Sequence, residues 1–307
     1  MAKNKMKKTR IGNILLLHIV VFIFGFTGVL GKLIETDSDL LVWWRMFIAA
    51  ISIALFGYST GKISKSLRSN APAYLGVGLI IAFHWITFFE AIKISNVSVT
   101  LACLSSTSLF TAVLEPIIFR RKLDPAELFF GAMVVLGLAL IFSFETDYAK
   151  GIFIALISSF LASLFTVING RLIEKDNPYR ISLVEMIGGV VGISIWLLFS
   201  GKMGEHLLNI PGSDWIWIIL LGIVCTAFAF VASVKVMEEL TPFTVSLTIN
   251  LEPVYGIILA FFIFGSSEEM TWGFYVGTIL ILGALYLNAL KKKGKLSLKK
   301  AKIRGNS

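Results

Sequence analysis

The chain has 307 residues, 56% of them hydrophobic and only 15% charged, with a mean hydropathy of +0.84, whereas a soluble domain carries about 25% charged residues. A soluble fold is excluded and a membrane protein is indicated. The formal net charge of +9 does not point to nucleic acid, because eight of the 28 basic residues lie in the tail 291–307, beside the last apolar stretch, where anionic lipid is the natural partner.

Runs of about 20 apolar residues can cross a hydrocarbon core of about 30 Å as helices. Ten occur, near residues 11–31, 40–60, 71–92, 96–118, 126–144, 150–170, 180–200, 214–235, 242–264 and 270–290. The first follows the basic segment Met1 to Arg10 and could be taken for a signal peptide. It is too long for a signal core and aligns with the sixth run, so we read it as a retained helix. The second run carries Arg45, and the third carries His84 and Glu90. A polar stripe (Thr100, Cys103, Thr107, Thr111 and Glu115) lies on the fourth, and another (Ser159, Ser163, Thr166 and Asn169) on the sixth. Glu185 falls in the seventh, and Lys235 ends the eighth. The ninth holds Thr244, Thr248, Asn250, Glu252, Pro253 and Tyr255. The connections are short and leave no room for a soluble domain. Cys103 and Cys225 both sit inside apolar runs, which speaks for packing rather than a disulfide framework.

The sequence also repeats itself. Gly31, Lys32, Leu33, Ile34 and Glu35 return as Gly170, Arg171, Leu172, Ile173 and Glu174, and Gly12, Phe26 and Thr27 return as Gly151, Phe165 and Thr166, all at an offset of 139. At an offset of 146, Val99, Leu101, Gly131 and Gly137 match Val245, Leu247, Gly277 and Gly283. These echoes divide the chain into residues 1–145, residues 146–290 and a basic tail 291–307. With the N-terminus inside, 23 Lys and Arg fall in cytoplasmic segments and four (Lys32, Lys93, Lys150 and Lys202) outside, with Arg45 within a span. This asymmetry puts both termini in the cytoplasm. Five spans per half is an odd number, so the second half enters the membrane from the opposite side. The expected fold is therefore an all-α membrane protein of ten transmembrane helices in two inverted five-helix repeats, an arrangement that favours alternating access.

Ionisable groups near a helix centre cost about 2.5–3.5 kcal/mol on the insertion scale and call for a reason. Glu252 lies about ten residues from the cytoplasmic start of its run, which is near the midplane. Pro253 leaves a carbonyl one turn earlier without its amide, tolerable at this depth only beside protein or a wet cavity. Glu252 is thus the first candidate for substrate or proton binding, with Thr248, Asn250, Tyr255, His84, Thr107 and Thr166 beside it. A glutamate hydrogen-bonded across helices, a structural histidine and small polar residues serving close packing are the competing readings. Arg45 and Glu90 near the outer face, with Glu185 and Lys235 near the inner face, form two candidate pairs acting as gates or braces. Snorkelling to the nearest interface is the alternative for each. No metal-ligand cluster, phosphate-binding glycine loop or activated nucleophile occurs. Neither a cofactor nor an enzymatic activity is expected.

The first run "VFIFGFTGVLGKLI", the second with "LVWWRMFIAA", the sixth with "FTVINGRLIE" and the ninth with "LEPVYGIILAFFIFGSSEE" together resemble the EamA-like branch of the drug/metabolite transporter superfamily over nearly the whole chain. The resemblance implies a ten-helix transporter with a central cavity lined by spans 1, 3, 4, 6, 8 and 9, exporting amino acids, metabolites or drugs. In one place the chain departs from the family: Thr107 stands where the repeat mate is Pro253 and where the family often has proline. Any break in the fourth span is therefore expected lower, at Pro116. The resulting expectation is a secondary transporter of the bacterial cytoplasmic membrane that exports small metabolites. The partners expected are a small-molecule substrate and membrane lipids, without nucleic acid; a homodimer stays an option. Uptake or exchange of nucleotide sugars or other anions is an alternative, disfavoured by the lack of paired basic residues at the midplane. An intramembrane lipid-modifying enzyme is the alternative from another class.

Overall fold

The computed structural model describes residues 2–63, 71–123 and 125–305. Lys65 and Arg68 of the charge count lie outside these residues, and the side chains of residues 1–11 and of the basic tail beyond Lys291 are outside the description as well. The fold is 84% helical, with no strand among the described residues. In chain order the helices are α1 (Ala2–Leu33), α2 (Ser38–Ser59), α3 (Ala71–Ile94), α4 (Val97–Leu104), α5 (Thr107–Ile118), α6 (Pro125–Phe144), α7 (Ala149–Leu172), α8 (Pro178–Phe199), the single turn α9 (Glu205–Leu208), α10 (Asp214–Gly222), α11 (Ala229–Val236), α12 (Pro242–Ile249), α13 (Glu252–Phe264) and α14 (Trp272–Gly305). A π-helical segment, Ile223–Phe228, joins α10 to α11.

Among the described residues, seven helical stretches are long and apolar enough to cross a membrane: Gly12–Leu33, Ser38–Ser59, Ala71–Ile94, Val97–Ile118, Thr146–Leu172, Pro178–Phe199 and Asp214–Val236. This is fewer than the ten runs read from the sequence. The shortfall falls on α6 and α14, whose apolar parts Phe129–Phe144 and Trp272–Ala284 are shorter, and on the pair α12–α13, which a break divides.

Local chemistry sets the helix starts. The Asn96 side chain accepts from the Val99 amide (2.8 Å) to open α4, and Asn177 accepts from Arg180 N (2.9 Å) ahead of Pro178 in α8. Thr241 does the same ahead of Pro242 in α12. Each side chain satisfies one of the amides that a first helical turn leaves open, and proline at the first position loses nothing there.

The sequence placed the break of the fourth span at Pro116. Instead the chain breaks at Ser105 and Ser106, between α4 and α5, while Pro116 lies within α5. Hydroxyls take the place of proline. Ser106 Oγ donates to Cys103 O (2.8 Å) and Thr107 Oγ1 to Leu104 O (2.6 Å), while Ser163 Oγ from α7 donates to Thr107 O (2.7 Å). Carbonyls at and beside the break thus gain partners inside the protein, as burial requires. The corresponding break between α12 and α13 falls at Asn250 and Leu251, beside Pro253.

Small residues allow the tightest crossings. A Cβ at Gly78 of α3 would lie 2.1 Å from Glu185 O of α8, and one at Gly25 of α1 would lie 3.0 Å from Glu252 O of α13. Backbone approach of this kind is the usual basis of helix packing in lipid, where apolar side chains gain little by leaving the solvent. Around these crossings α3 packs against α7 and α8, α2 against α8 and α10, α1 against α11 and α13, and α6 against α14.

Candidate functional site

Arg45 of α2 is 1% exposed, about 10 Å along the helix from its start. Its guanidinium carbon stands 3.8 Å from the centre of the Trp85 ring and 5.5 Å from that of Phe89, so α3 presents two aromatic faces to it. Nε donates to Thr226 Oγ1 (2.6 Å). Thr226 sits in the π-helical segment and donates in turn to Leu221 O (2.8 Å), five residues back. A π-turn offsets its hydrogen bonds by one residue and commonly marks a functional position. Here it delivers a hydroxyl to a buried cation. Nη1 of the same guanidinium is buried without a hydrogen-bond partner among the described residues.

Glu252, the first residue of α13, is 5% exposed and shares a cavity with Arg45. The cavity, of about 70 Å³, is walled by aromatic side chains that include Trp85, Phe88, Phe165 and Phe230. It admits water, which needs about 10–15 Å³ measured in this way, but is far smaller than the several hundred Å³ of a small-molecule site. His84, Thr107 and Thr166 also line it. His84 Nδ1 lies 2.9 Å from both the carbonyl and the hydroxyl of Ser158, which anchors the ring to α7. The Thr107 hydroxyl is engaged with Leu104 O and with Ser159 Oγ (2.9 Å).

The structure thus brings together six of the residues singled out in the sequence: Arg45, His84, Thr107, Thr166, Asn169 and Glu252. Three others lie apart from the cavity. Thr248 Oγ1 donates to Thr244 O (2.9 Å), the Tyr255 ring meets Phe22 edge-on (5.7 Å), and Asn250 is buried at the helix break with both amide atoms unpartnered.

Neither charge pair forms. Arg45 faces the side of α3 that carries Trp85 and Phe89, and Glu90, the next residue, is turned about 100° away from it. Glu90 accepts from Ser38 Oγ instead (3.0 Å). Glu185 is fully buried beneath the Gly78 crossing and accepts a long hydrogen bond from Asn169 Nδ2 (3.5 Å), while Lys235 is exposed. Cys103 and Cys225 are free and buried, as their apolar setting suggested.

Other residues emerge only with the fold. Glu268, after α13, has a fully buried side chain, which accepts from Lys32 Nζ (2.7 Å), Ser98 N (2.9 Å), Ser98 Oγ (2.7 Å) and Val97 N (3.2 Å). One carboxylate therefore caps α4 and ties it to the end of α1. Asp214 accepts from Thr36 N (2.9 Å) and Thr36 Oγ1 (2.7 Å). In the same end region Lys202 contacts Asp37 (2.9 Å) and Asp39 (3.1 Å). The Lys202 hydrogen bond holds the Asp37 carboxyl below its ordinary value, and Asp37 raises Lys202. Glu268 and Asp214 stand in loops and helix ends, where a sequence shows one more acidic residue and no sign of its partners.

The structure is thus a polytopic helical fold with a buried cation and a buried carboxylate in one aromatic cavity. Comparison with known proteins gives the family. The sequence profile of the EamA-like transporter family matches residues 11–143 and again 149–290, and the chain belongs to that family. The uncharacterized transporter YyaM of Bacillus subtilis is 23% identical over 80% of this chain and 86% of its own length. The uncharacterized transporter YdfC of the same organism is 22% identical over 90% and 89%. An uncharacterized transporter of Archaeoglobus fulgidus is 20% identical over 91% and 97%. A solved crystal structure superposes with a TM-score of 0.69 over 92% of this chain and 98% of that one at 16% identity, a likeness of fold.

Proposed function

We propose that the chain is a secondary exporter of small amphipathic metabolites, amino acids or drugs across the bacterial cytoplasmic membrane, working by alternating access between two inverted five-span halves, residues 1–145 and 146–290, with both termini cytoplasmic. The observation that carries this reading is the placement of Arg45 and Glu252 in one buried, aromatic-walled cavity. A substrate with an anionic group meets the free Nη1 of Arg45. Glu252 exchanges a proton or accepts a cationic group, and the aromatic walls take the apolar part.

The packing supports the inverted halves. Exchanging the halves turns the contact of α1 with α13 into that of α7 with α4 and α5, and the contact of α3 with α8 into that of α10 with α2; both members of each pair are present. Further support for alternating access is the asymmetry of closure. The ends of α1 and α4 that the charge count assigns to the outside are fastened by Glu268. The cavity reaches from Arg45 to Asn169 and Met237, at the ends of α7 and α11 assigned to the cytoplasm. With room for little but water, the cavity must widen for transport.

The test is counterflow. Purified protein in vesicles is screened for exchange of labelled amino acids and metabolites, with and without a pH gradient. Exchange of an amphipathic compound that Arg45→Gln abolishes supports the proposal, whereas modification of lipid without movement of any solute would overturn it.

A further inference from the structure

A second cavity, of about 420 Å³, lies away from the central one, between α3, α8 and the start of α2. Its shape follows from the glycine crossing. α3 and α8 touch through their backbones at Gly78 and Gly188, where a Cβ would stand 2.1 Å from Glu185 O and 2.5 Å from Leu75 O. Beyond that crossing the two helices part into a groove floored by Gly192 and Leu79. Phe83 and Trp196 stand on its rims, 60% and 58% exposed, so the groove opens sideways toward the region that lipid occupies.

The far end of the groove is charged. Asp37, Asp39, Glu90, Lys93 and Lys202 all face it. Lys202 is committed to Asp37 and Asp39. Lys93 Nζ donates to the backbone carbonyls of Glu35 (3.1 Å) and Thr36; it stands in the field of Asp37, Glu90, Asp214 and Asp39 but is in close contact with none of them among the described residues. Glu90 accepts from the Ser38 hydroxyl, and its nearest basic neighbour along α3 is Lys93, with which it makes no close ion pair. A carboxylate and an ammonium thus sit three residues apart on one face of α3, near enough to act on each other but not joined in a close ion pair, so each keeps hydrogen-bonding capacity toward the groove. From Leu79 to Glu90 the groove runs eleven residues of helix, about 16 Å, which is about half of the 30 Å hydrocarbon core.

We propose that this groove is a binding site for a phospholipid with a primary-amine headgroup, of the phosphatidylethanolamine class, in the outer leaflet. Its ammonium donates to Glu90, its phosphate accepts from Lys93, and one acyl chain lies along Leu79, Phe83 and Ile86. Assignment to the outer leaflet rests on the orientation proposed above, but binding itself does not.

The experiment is native mass spectrometry of the purified full-length chain in detergent, supplied with phosphatidylethanolamine, phosphatidylcholine or phosphatidylglycerol of identical acyl chains. The ethanolamine lipid should be retained in preference to the other two. Glu90→Gln should lower its retention about tenfold, as loss of one charge-assisted hydrogen bond implies. A second measurement leaves Glu90 in place and so guards against a Glu90→Gln variant that fails to fold: brominated phosphatidylethanolamine should quench the fluorescence of the reconstituted protein, and Trp196→Phe should remove that component. Equal retention of the three lipids, retention unaffected by Glu90→Gln, or the absence of a Trp196 quenching component would overturn the proposal. So would displacement of the lipid by an equal concentration of a long-chain alkylamine, since phosphate would then contribute nothing. None of these readouts requires transport, so failure here leaves the exporter reading intact.

Discussion

At the scale of single residues, the site depends on how a cation is kept inside an apolar bundle. Arg45 is held by two aromatic faces and one hydroxyl, and that hydroxyl is delivered by a π-turn. Thr226→Val keeps the shape and removes the acceptor, leaving a buried N–H unsatisfied at a cost of about 1–3 kcal/mol. A lower thermal unfolding midpoint in detergent is expected, with Thr226→Ser close to the parent. A second case is Asn250, whose buried amide finds no partner in this conformation. Leucine has nearly the same shape, and replacing an unsatisfied buried polar group by an apolar one of the same shape is neutral or stabilising. Asn250→Leu should therefore raise the midpoint. If the amide finds its partner in the opposite conformation, the same substitution slows exchange in vesicles. The sequence marked Arg45 and Glu252 because a charge in an apolar run is visible without a structure. Thr226 was not marked, since one threonine in "GIVCTAFAF" gives no sign of a π-turn.

At the scale of elements, helix existence was legible and helix contacts were not. Apolar runs located most helix ends to within a few residues, but not the start of α1 or the end of α14, which extend past the apolar runs into the basic ends of the chain. The break of the fourth span was misplaced because proline is a visible helix breaker, whereas three hydroxyls satisfying carbonyls are not distinct from ordinary packing serines. The Arg45 and Glu90 pair failed for a rotational reason: position along a helix can be read from a sequence, whereas pairing depends on the face. The α3 and α8 crossing yields a direct prediction. Gly78→Ala puts a methyl group 2.1 Å from a backbone oxygen, so the helices must separate, at a cost of about 1–3 kcal/mol from overpacking. The unfolding midpoint should fall accordingly. Glu268 links the end of α1 to the start of α4. Glu268→Gln weakens that link, and a cysteine introduced by Phe88→Cys should then react faster with a membrane-impermeant thiol reagent added from outside. Unchanged reactivity would argue against Glu268 as an outer latch.

At the scale of the whole molecule, duplication is written twice in the sequence, in its echoes at offsets of 139 and 146 and in the two matches to one family profile. The two halves differ within the proposed site: Glu252 and Pro253 of the second half correspond to Ser106 and Thr107 of the first. Both positions form helix breaks, but only one supplies a carboxylate to the cavity. This asymmetry gives the proposed cycle a single proton or cation site beside a fixed cation. The decisive measurement is substrate-elicited proton movement in vesicles carrying an internal pH indicator, with the wild-type protein and Glu252→Gln compared at equal protein content. The proposed cycle predicts a substrate-dependent pH change with the wild type and its loss in Glu252→Gln. Full transport by Glu252→Gln with the wild-type pH dependence would contradict it.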